Sequence, residues 1–343
     1  MPTRRAGLLV SQAICFRGRR RPRPPPRLGR SFSSEENPIS NLPLPALALA
    51  AVPRRRSATL ELAREIERRE YRGIYCASVG DGLGLCLALA QATERIPFGT
   101  AIANLYTRLP GDYAATTALI HELSGGRFRF GVGVSHAPLL DRLGVAGGKP
   151  LAEMRRFVEA WRGVPRTGEQ PPLVVAGLRR RMVALAGELG EGVVFANAAR
   201  SHMAESLDAL APGQRGSDDF FVGNMIPTCI SDDVAAAAAV NRRTLSFYVT
   251  LPNYRNYWKE AGYVEEMEAI EKAVEAGERE RIPGLLSDAW LSDCTLYGSR
   301  DTVREGLAAW YEAGVSTPIL VPSSAEGNQM KAFEELFAAF EGD

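Results

Sequence analysis

The chain lacks the short motifs that mark the commonest catalytic and metal chemistries. It has no HExxH histidine pair, no Cys/His cluster at metal-ligand spacing, no P-loop and no GxSxG elbow. Only three histidines occur in 343 residues, so no metal site is expected. The five cysteines (Cys15, Cys76, Cys86, Cys229 and Cys294) are scattered, without CxxC spacing. With no disulfide framework they read as free thiols in a reducing, cytoplasmic compartment, and Cys76 and Cys229 fall in expected strands. No apolar run reaches the roughly 18 residues of a membrane-spanning helix. Acidic residues are missing from 1–34, which hold nine arginines. Without that stretch the body has 32 basic against 40 acidic residues, a net charge of about −8. An acidic body argues against a general nucleic-acid binder. The expected partner is a small-molecule substrate, with no nucleic acid and no membrane.

Residues 1–42 do not read as a folded unit, because the Arg/Pro-rich run RGRRRPRPPPRLGR cannot bury a core. A solvated extension, an organelle transit peptide with its Ser31, Ser33 and Ser34 cluster, and a nucleic-acid or membrane arm all fit this composition. From 43 to 343 the pattern is regular and reads as one domain. Strands are expected near 45–53, then at Ile74–Ala77, Ile96–Ala103, Phe128–Val134, Leu173–Ala176, Gly192–Ala196, Phe220–Ile230 and Pro318–Val321. Helices alternate with them, one capped by Ser57 and one running from Tyr113 to the stop at Ser124-Gly125-Gly126. Residues 251–297 break the rhythm as a helical stretch with aromatics near its start. Such alternation predicts an α/β fold with an all-parallel sheet. About eight strands in roughly 300 residues fit a (β/α)8 barrel with a helical insertion before the last strand, the rival being a doubly wound open sheet. In both, ligands sit at the carboxyl ends of the strands.

Two loops there could cradle an anion. One is Gly133-Val134-Ser135-His136, after the fourth strand. The other is Gly177-Leu178-Arg179-Arg180-Arg181, between the fifth strand and its helix. A helix N-terminus offers free N–H groups and partial positive charge, the arginines add full charges, and Gly177 allows close backbone approach. The arginine run reads equally as a solvated basic turn. His136 either closes a loop or hydrogen-bonds a cofactor or substrate. His121 reads as a surface residue and His202 as structural, and Tyr254, Tyr257 and Trp258 as a helix packing face rather than a lid. Gly131-Val132-Gly133 does not extend into a full GxGxxG fingerprint.

Four stretches carry a family resemblance: ATERIPFGTAIAN (92–104), ELSGGRFRFGVGVSH (122–136), PPLVVAGLRRRMVALAGELGEGVVF (171–195) and AGVSTPILVP (313–322). They resemble the luciferase-like flavin/F420-dependent oxidoreductases, in particular the methylene-tetrahydromethanopterin reductase-like branch. The resemblance implies a TIM barrel with a planar redox ring at the strand ends. It implies a bulge ending the third strand at Ala103 and Asn104, often with a non-prolyl cis peptide, behind the ring. It places phosphate contacts at Gly133, Val134 and Ser135, and at Gly177, Leu178, Arg179, Arg180 and Arg181. His136 becomes the candidate proton donor or polar clamp. The implied cofactor is coenzyme F420, moving a hydride to or from a small organic substrate; FMN with oxygen would instead make a monooxygenase. A homo-oligomer, a dimer, is the expected assembly. Two departures, Ala77-Ser78-Val79-Gly80-Asp81 in place of a polar cluster and Gly177-Leu178 in place of Gly-Pro, leave a non-catalytic cofactor-binding or sensing barrel as a further alternative.

Overall fold

Short β-branched and apolar runs, each followed by an amphipathic or apolar helix, give the alternation its structure. The computed structural model describes residues 42–341, so the expectations for the Arg/Pro-rich start and for Cys15 lie outside the described residues. The strands are β1 (Ala46–Leu49), β2 (Gly73–Ala77), β3 (Phe98–Ala101), β4 (Ala103–Asn104), β5 (Phe128–Gly133), β6 (Leu173–Ala176), β7 (Gly192–Ala196), β8 (Phe221–Ile230), β9 (Leu296–Gly298) and β10 (Thr317–Ser323). The helices are α1 (Arg56–Arg68), α2 (Gly82–Ala92), α3 (Pro110–Leu123), α4 (Ala137–Leu143), α5 (Pro150–Arg162), α6 (Arg180–Leu189), α7 (Met203–Leu207), α8 (Val234–Ser246), α9 (Pro252–Glu260), α10 (Val264–Glu275), α11 (Ile282–Leu285), α12 (Asp288–Cys294), α13 (Arg300–Glu312) and α14 (Gln329–Phe340).

All strand pairs are parallel, and the order β10-β1-β2-β3-β5-β6-β7-β8 closes when β8 pairs back onto β10. Closure leaves no sheet edge among these staves and excludes the open doubly wound sheet. The fold is a (β/α)8 TIM barrel. β4 continues β3, and β9 pairs only with the far end of β8, from Thr228↔Leu296 to Ile230↔Gly298. The helical insertion, α9 to α12, lies before the last strand as expected; β9 at its end was not foreseen.

Parallel staves bury both faces, and two apolar layers result. The larger layer lies between strands and helices. The smaller fills the barrel with Ala46, Ala48, Tyr75, Ala101, Val174, Val194, Phe221 and Ile319. The rings of Tyr75 and Phe221 meet at 5.3 Å inside the barrel. Arg129 lies over Phe221 at 5.5 Å.

Two local expectations change. Ser57 does not cap α1, which begins one residue earlier with no side-chain cap. Helix α3 begins at Pro110 rather than Tyr113, because the fixed φ of proline suits a first turn and its missing N–H is not needed there.

Candidate functional site

The mouth takes its shape from the break between β3 and β4. Ladder pairs run Phe98↔Phe128 and Gly99↔Arg129, then resume at Ala103↔Val132 and Asn104↔Gly133. One extra residue has entered on the β3–β4 side, which is a bulge. Thr100 fills the gap with its side chain. Its Oγ1 donates to the Gly131 carbonyl at 2.6 Å and accepts from the Gly131 N–H at 3.0 Å. The Ala101–Ile102 peptide is cis, two residues before the position the resemblance implied. From β2, Ser78 Oγ donates to the Ile102 carbonyl at 2.8 Å. Ser78 thus supports the bulge, a role that a lone serine after a strand does not announce.

Asn104 is buried, 7% exposed, at the end of β4. Its Oδ1 accepts the Tyr106 N–H at 3.0 Å, and its carbonyl accepts the Tyr113 hydroxyl at 2.6 Å. Its Nδ2 has no protein partner. A second buried carboxamide, Asn197, follows β7 with φ +55°, and its Nδ2 is also unpartnered. The Asn197 carbonyl accepts the Trp258 indole N–H at 3.2 Å. Unmade bonds on buried amides are costly, so two such donors on the carboxyl-end side of the barrel suit a ligand that brings acceptors. Asn197 was missed in the sequence; an Asn directly after an apolar strand was the available signal, since Asn tolerates left-handed backbone.

The two glycine-bearing loops leave neighbouring strands at the same end. Val132 pairs with Val175, and a Cβ on Gly133 would lie 3.0 Å from that of Ala176. So Ala103 and Asn104, Gly133, Val134 and Ser135, and Gly177 and Leu178 gather along three adjacent staves. Ser135 has φ +64°, turning the chain sharply into α4. The helices after β2, β8 and β10 are capped by Asp81, Asp233 and Asn328 side chains; α4 and α6, after β5 and β6, have no side-chain cap, as is also true of α1, α3 and α7. Uncapped first-turn N–H groups on α6, with Arg180 and Arg181 exposed beside them, fit an anion such as a phosphate.

Within the second loop the residues divide. A Cβ on Gly177 would meet Val193 Cγ2 at 3.0 Å and Val183 at 3.4 Å, so this glycine serves strand–helix packing. Leu178 packs on the core. Arg179 Nε donates to Glu260 Oε1 at 2.9 Å, tying the loop to α9 of the insertion. Arg180 and Arg181, exposed as Arg179 is, are the cations of the triplet outside that pair.

His136 stands at the start of α4, with its ring 5.5 Å from Tyr254. Burial pushes the imidazole pKa below its ordinary value, so it is neutral near pH 7. Tyr254 contacts Tyr248 at 5.1 Å and Trp258 at 5.4 Å, and Trp258 meets Trp290 at 4.9 Å. The insertion aromatics are thus a buried packing cluster, as expected, whose outer member reaches the mouth at His136. His202 is structural, with its ring 5.5 Å from Tyr257 and Nδ1 3.2 Å from Glu205.

A closed parallel barrel with a bulged third stave and buried amide donors at its carboxyl end is the frame of a ligand-binding TIM-barrel protein. Residues 46–317 match the family described as luciferase-like monooxygenase, and the chain belongs to that family. A Mycobacterium tuberculosis protein provisionally named a coenzyme F420-dependent oxidoreductase is 26% identical over 283 residues, covering 69% of this chain and 82% of that one. The coenzyme F420 dependent tetrahydromethanopterin reductase of Methanopyrus kandleri has the same fold, with TM-score 0.67 and 18% identity over 85% of this chain and 97% of that one. The oxygenating constituent of 3,6-diketocamphane monooxygenase from Pseudomonas putida, in complex with FMN, aligns with TM-score 0.57 and 15% identity over 86% and 95%.

Proposed function

We propose that the protein transfers a hydride between bound coenzyme F420 and a small organic substrate. The observation that carries this reading is the meeting of the β5 and β6 loops beside the β3–β4 bulge, with an uncapped, arginine-flanked helix start next to them. The relative from M. tuberculosis supports F420 as the ring, and the FMN-bound relative of the fold keeps an FMN monooxygenase as the second reading. When bound, a deazaflavin supplies hydride chemistry without oxygen. The residues of this chain do the positioning. Ala103 and Asn104 back the ring, with Asn104 Nδ2 free to donate to it. Gly133, Val134 and Ser135 give a backbone edge to the phosphate, and Arg180 and Arg181 hold its charge. The Gly177–Arg179 segment keeps that helix start in place through packing and through Glu260. His136, neutral and half-buried, holds a proton at one ring nitrogen and accepts one at the other.

Absorbance titration with F420 and with FMN tests the reading. A saturable spectral change with F420 is expected, followed by ring reduction on adding a donor and reoxidation that depends on substrate. A response to FMN alone, with oxygen-dependent turnover, would establish the second reading. A ring that binds and never cycles would mean a sensing barrel. His136→Asn is expected to leave the titration unchanged and slow turnover by about 10²-fold or more.

The same reading includes a dimer. Helix α2 is apolar on nearly all sides, and Leu119 and Leu123 on α3 are 47% and 46% exposed. Sedimentation is expected to give twice the chain mass. The buried free thiols of Cys76, Cys86, Cys229 and Cys294 support a reducing, cytoplasmic location. No described helix is long and apolar enough to cross a membrane.

A further inference from the structure

We propose that a cavity of about 300 Å³ beside the β5 loop is a further binding site for a small organic molecule, and that it takes a neutral or cationic head on a small apolar body, not a carboxylate. It adjoins the phosphate cradle of the reading above, sharing Val134 and Ser135 with it, and contains none of the residues proposed to back the ring.

The cavity lies between Tyr106, which follows the β4 stave, and Ala137 and Leu140 on α4. The segment from Val145 to Gly148 roofs it. Its volume sits at the low end of the roughly 300–1,000 Å³ typical of ligand pockets, which sets the size of the occupant to a small ring or short chain. Its lining is mostly apolar, with hydroxyls at Ser135 and Tyr106. Asp141 is the one charged side chain in that lining, and no lysine or arginine contributes to it. A carboxylate entering there would meet a like charge and no cation. An alcohol would find hydroxyl partners, and an ammonium group would find Asp141.

Gly148 and the Glu153 carboxylate lie near the Tyr106 hydroxyl. Glu153 is itself only 9% exposed and pairs with Arg156. A Cβ on Gly147 would lie 2.7 Å from Leu140 Cδ1, so the roof rests directly on α4. A small, mostly apolar lining with a single charged side chain makes a pocket that selects by size and by sign.

Three probes of equal shape test this: cyclohexanol, cyclohexylamine and cyclohexanecarboxylate, read by saturation-transfer NMR on the full chain without cofactor. The alcohol and the amine are expected to bind, and the carboxylate about fivefold more weakly or worse. Asp141→Asn should bring all three to similar strength. Ala137→Trp fills the cavity from α4 and should abolish binding of all three; Gly147→Val, which narrows it from the roof, should weaken them in the same order. Equal binding of alcohol and carboxylate to the wild type overturns the proposal, as does wild-type binding in both filled variants. Cofactor titration is measured separately. A normal spectral response with no probe binding removes the pocket alone. Sign-selective probe binding without any spectral response removes the cofactor reading and leaves the pocket standing.

Discussion

Gly131→Ala is expected to prevent the barrel from closing correctly, with a loss above about 4 kcal/mol that leaves little soluble folded protein. A Cβ at this position would lie 2.9 Å from the Thr100 carbonyl carbon and closer still to its oxygen. Backbone on a neighbouring stave cannot swing aside as a side-chain tip can. The same substitution would push Gly131 away from Thr100 Oγ1, breaking both bonds that bridge the bulge. Thr100→Val keeps the shape and removes those bonds alone, and should cost about 1–3 kcal/mol. Gly111→Ala is the control, because nothing lies within 4 Å of a Cβ there. Being helical, it should be neutral or gain about 0.5–1 kcal/mol. Urea unfolding of the three variants checks the ranking. A Gly131→Ala protein as stable as Gly111→Ala would show that the bulge does not have this geometry.

Arg127→Ala should be the second most damaging change, at about 3–5 kcal/mol, because it strips a half-buried polar network of its donor. The guanidinium serves five acceptors. Nε donates to the Ser124 carbonyl at 2.9 Å, and Nη1 to Thr93 Oγ1 at 2.9 Å and the Ile96 carbonyl at 3.0 Å. Nη2 donates to the carbonyls of Ala90 at 3.3 Å and Thr93 at 2.9 Å. These are the end of α2, the loop leading into β3 and the end of α3, whose orphan carbonyls would otherwise lack partners. The plane also lies 5.2 Å over the Phe98 ring. Lysine cannot reproduce that fork, so Arg127→Lys should recover little. Glu67 holds the other side of the same loop, accepting the N–H groups of Glu94 at 2.9 Å, Arg95 at 2.6 Å and Ile96 at 2.9 Å. Burial raises the Glu67 pKa, but the three N–H groups outweigh it and hold the carboxyl below its ordinary value. Its contribution is therefore complete above the ordinary carboxylate pKa and is lost as pH falls through the lowered one. Glu67→Gln should flatten the acid limb of a stability–pH profile, and an unchanged limb would refute that role.

Much of this was legible in sequence because it is local. The staves at Ile74–Ala77, Leu173–Ala176 and Gly192–Ala196 fall close to where composition puts them, since β-branched runs bounded by glycine leave few alternatives. The parallel sense of the sheet followed from alternation; its closure is decided by β8 pairing with β10. What stayed hidden depends on partners far along the chain. Ile96–Ala103 reads as one strand; that it breaks at Ile102 is decided by Thr100 meeting Gly131 and by Ser78 reaching across from β2. Arg179, grouped with its two neighbours by sequence, is tied to Glu260, 81 positions away. Gly177 suggested an open approach for a ligand, yet its missing side chain makes room for Val193 and Val183. Helix α4 is not legible in the sequence, because seven residues beginning Ala-Pro carry too little periodicity. The roof over the cavity was missed with it.

The central claim is that the loops after β5 and β6 hold one anionic group of a ring cofactor, with Arg180 and Arg181 supplying the charge. The most direct measurement is the F420 dissociation constant of the wild type and of an Arg180→Ser, Arg181→Ser double variant across a range of salt concentrations. The account predicts at least about tenfold weaker binding by the variant at low salt and a shallower salt dependence. Equal affinities with equal salt slopes would contradict it.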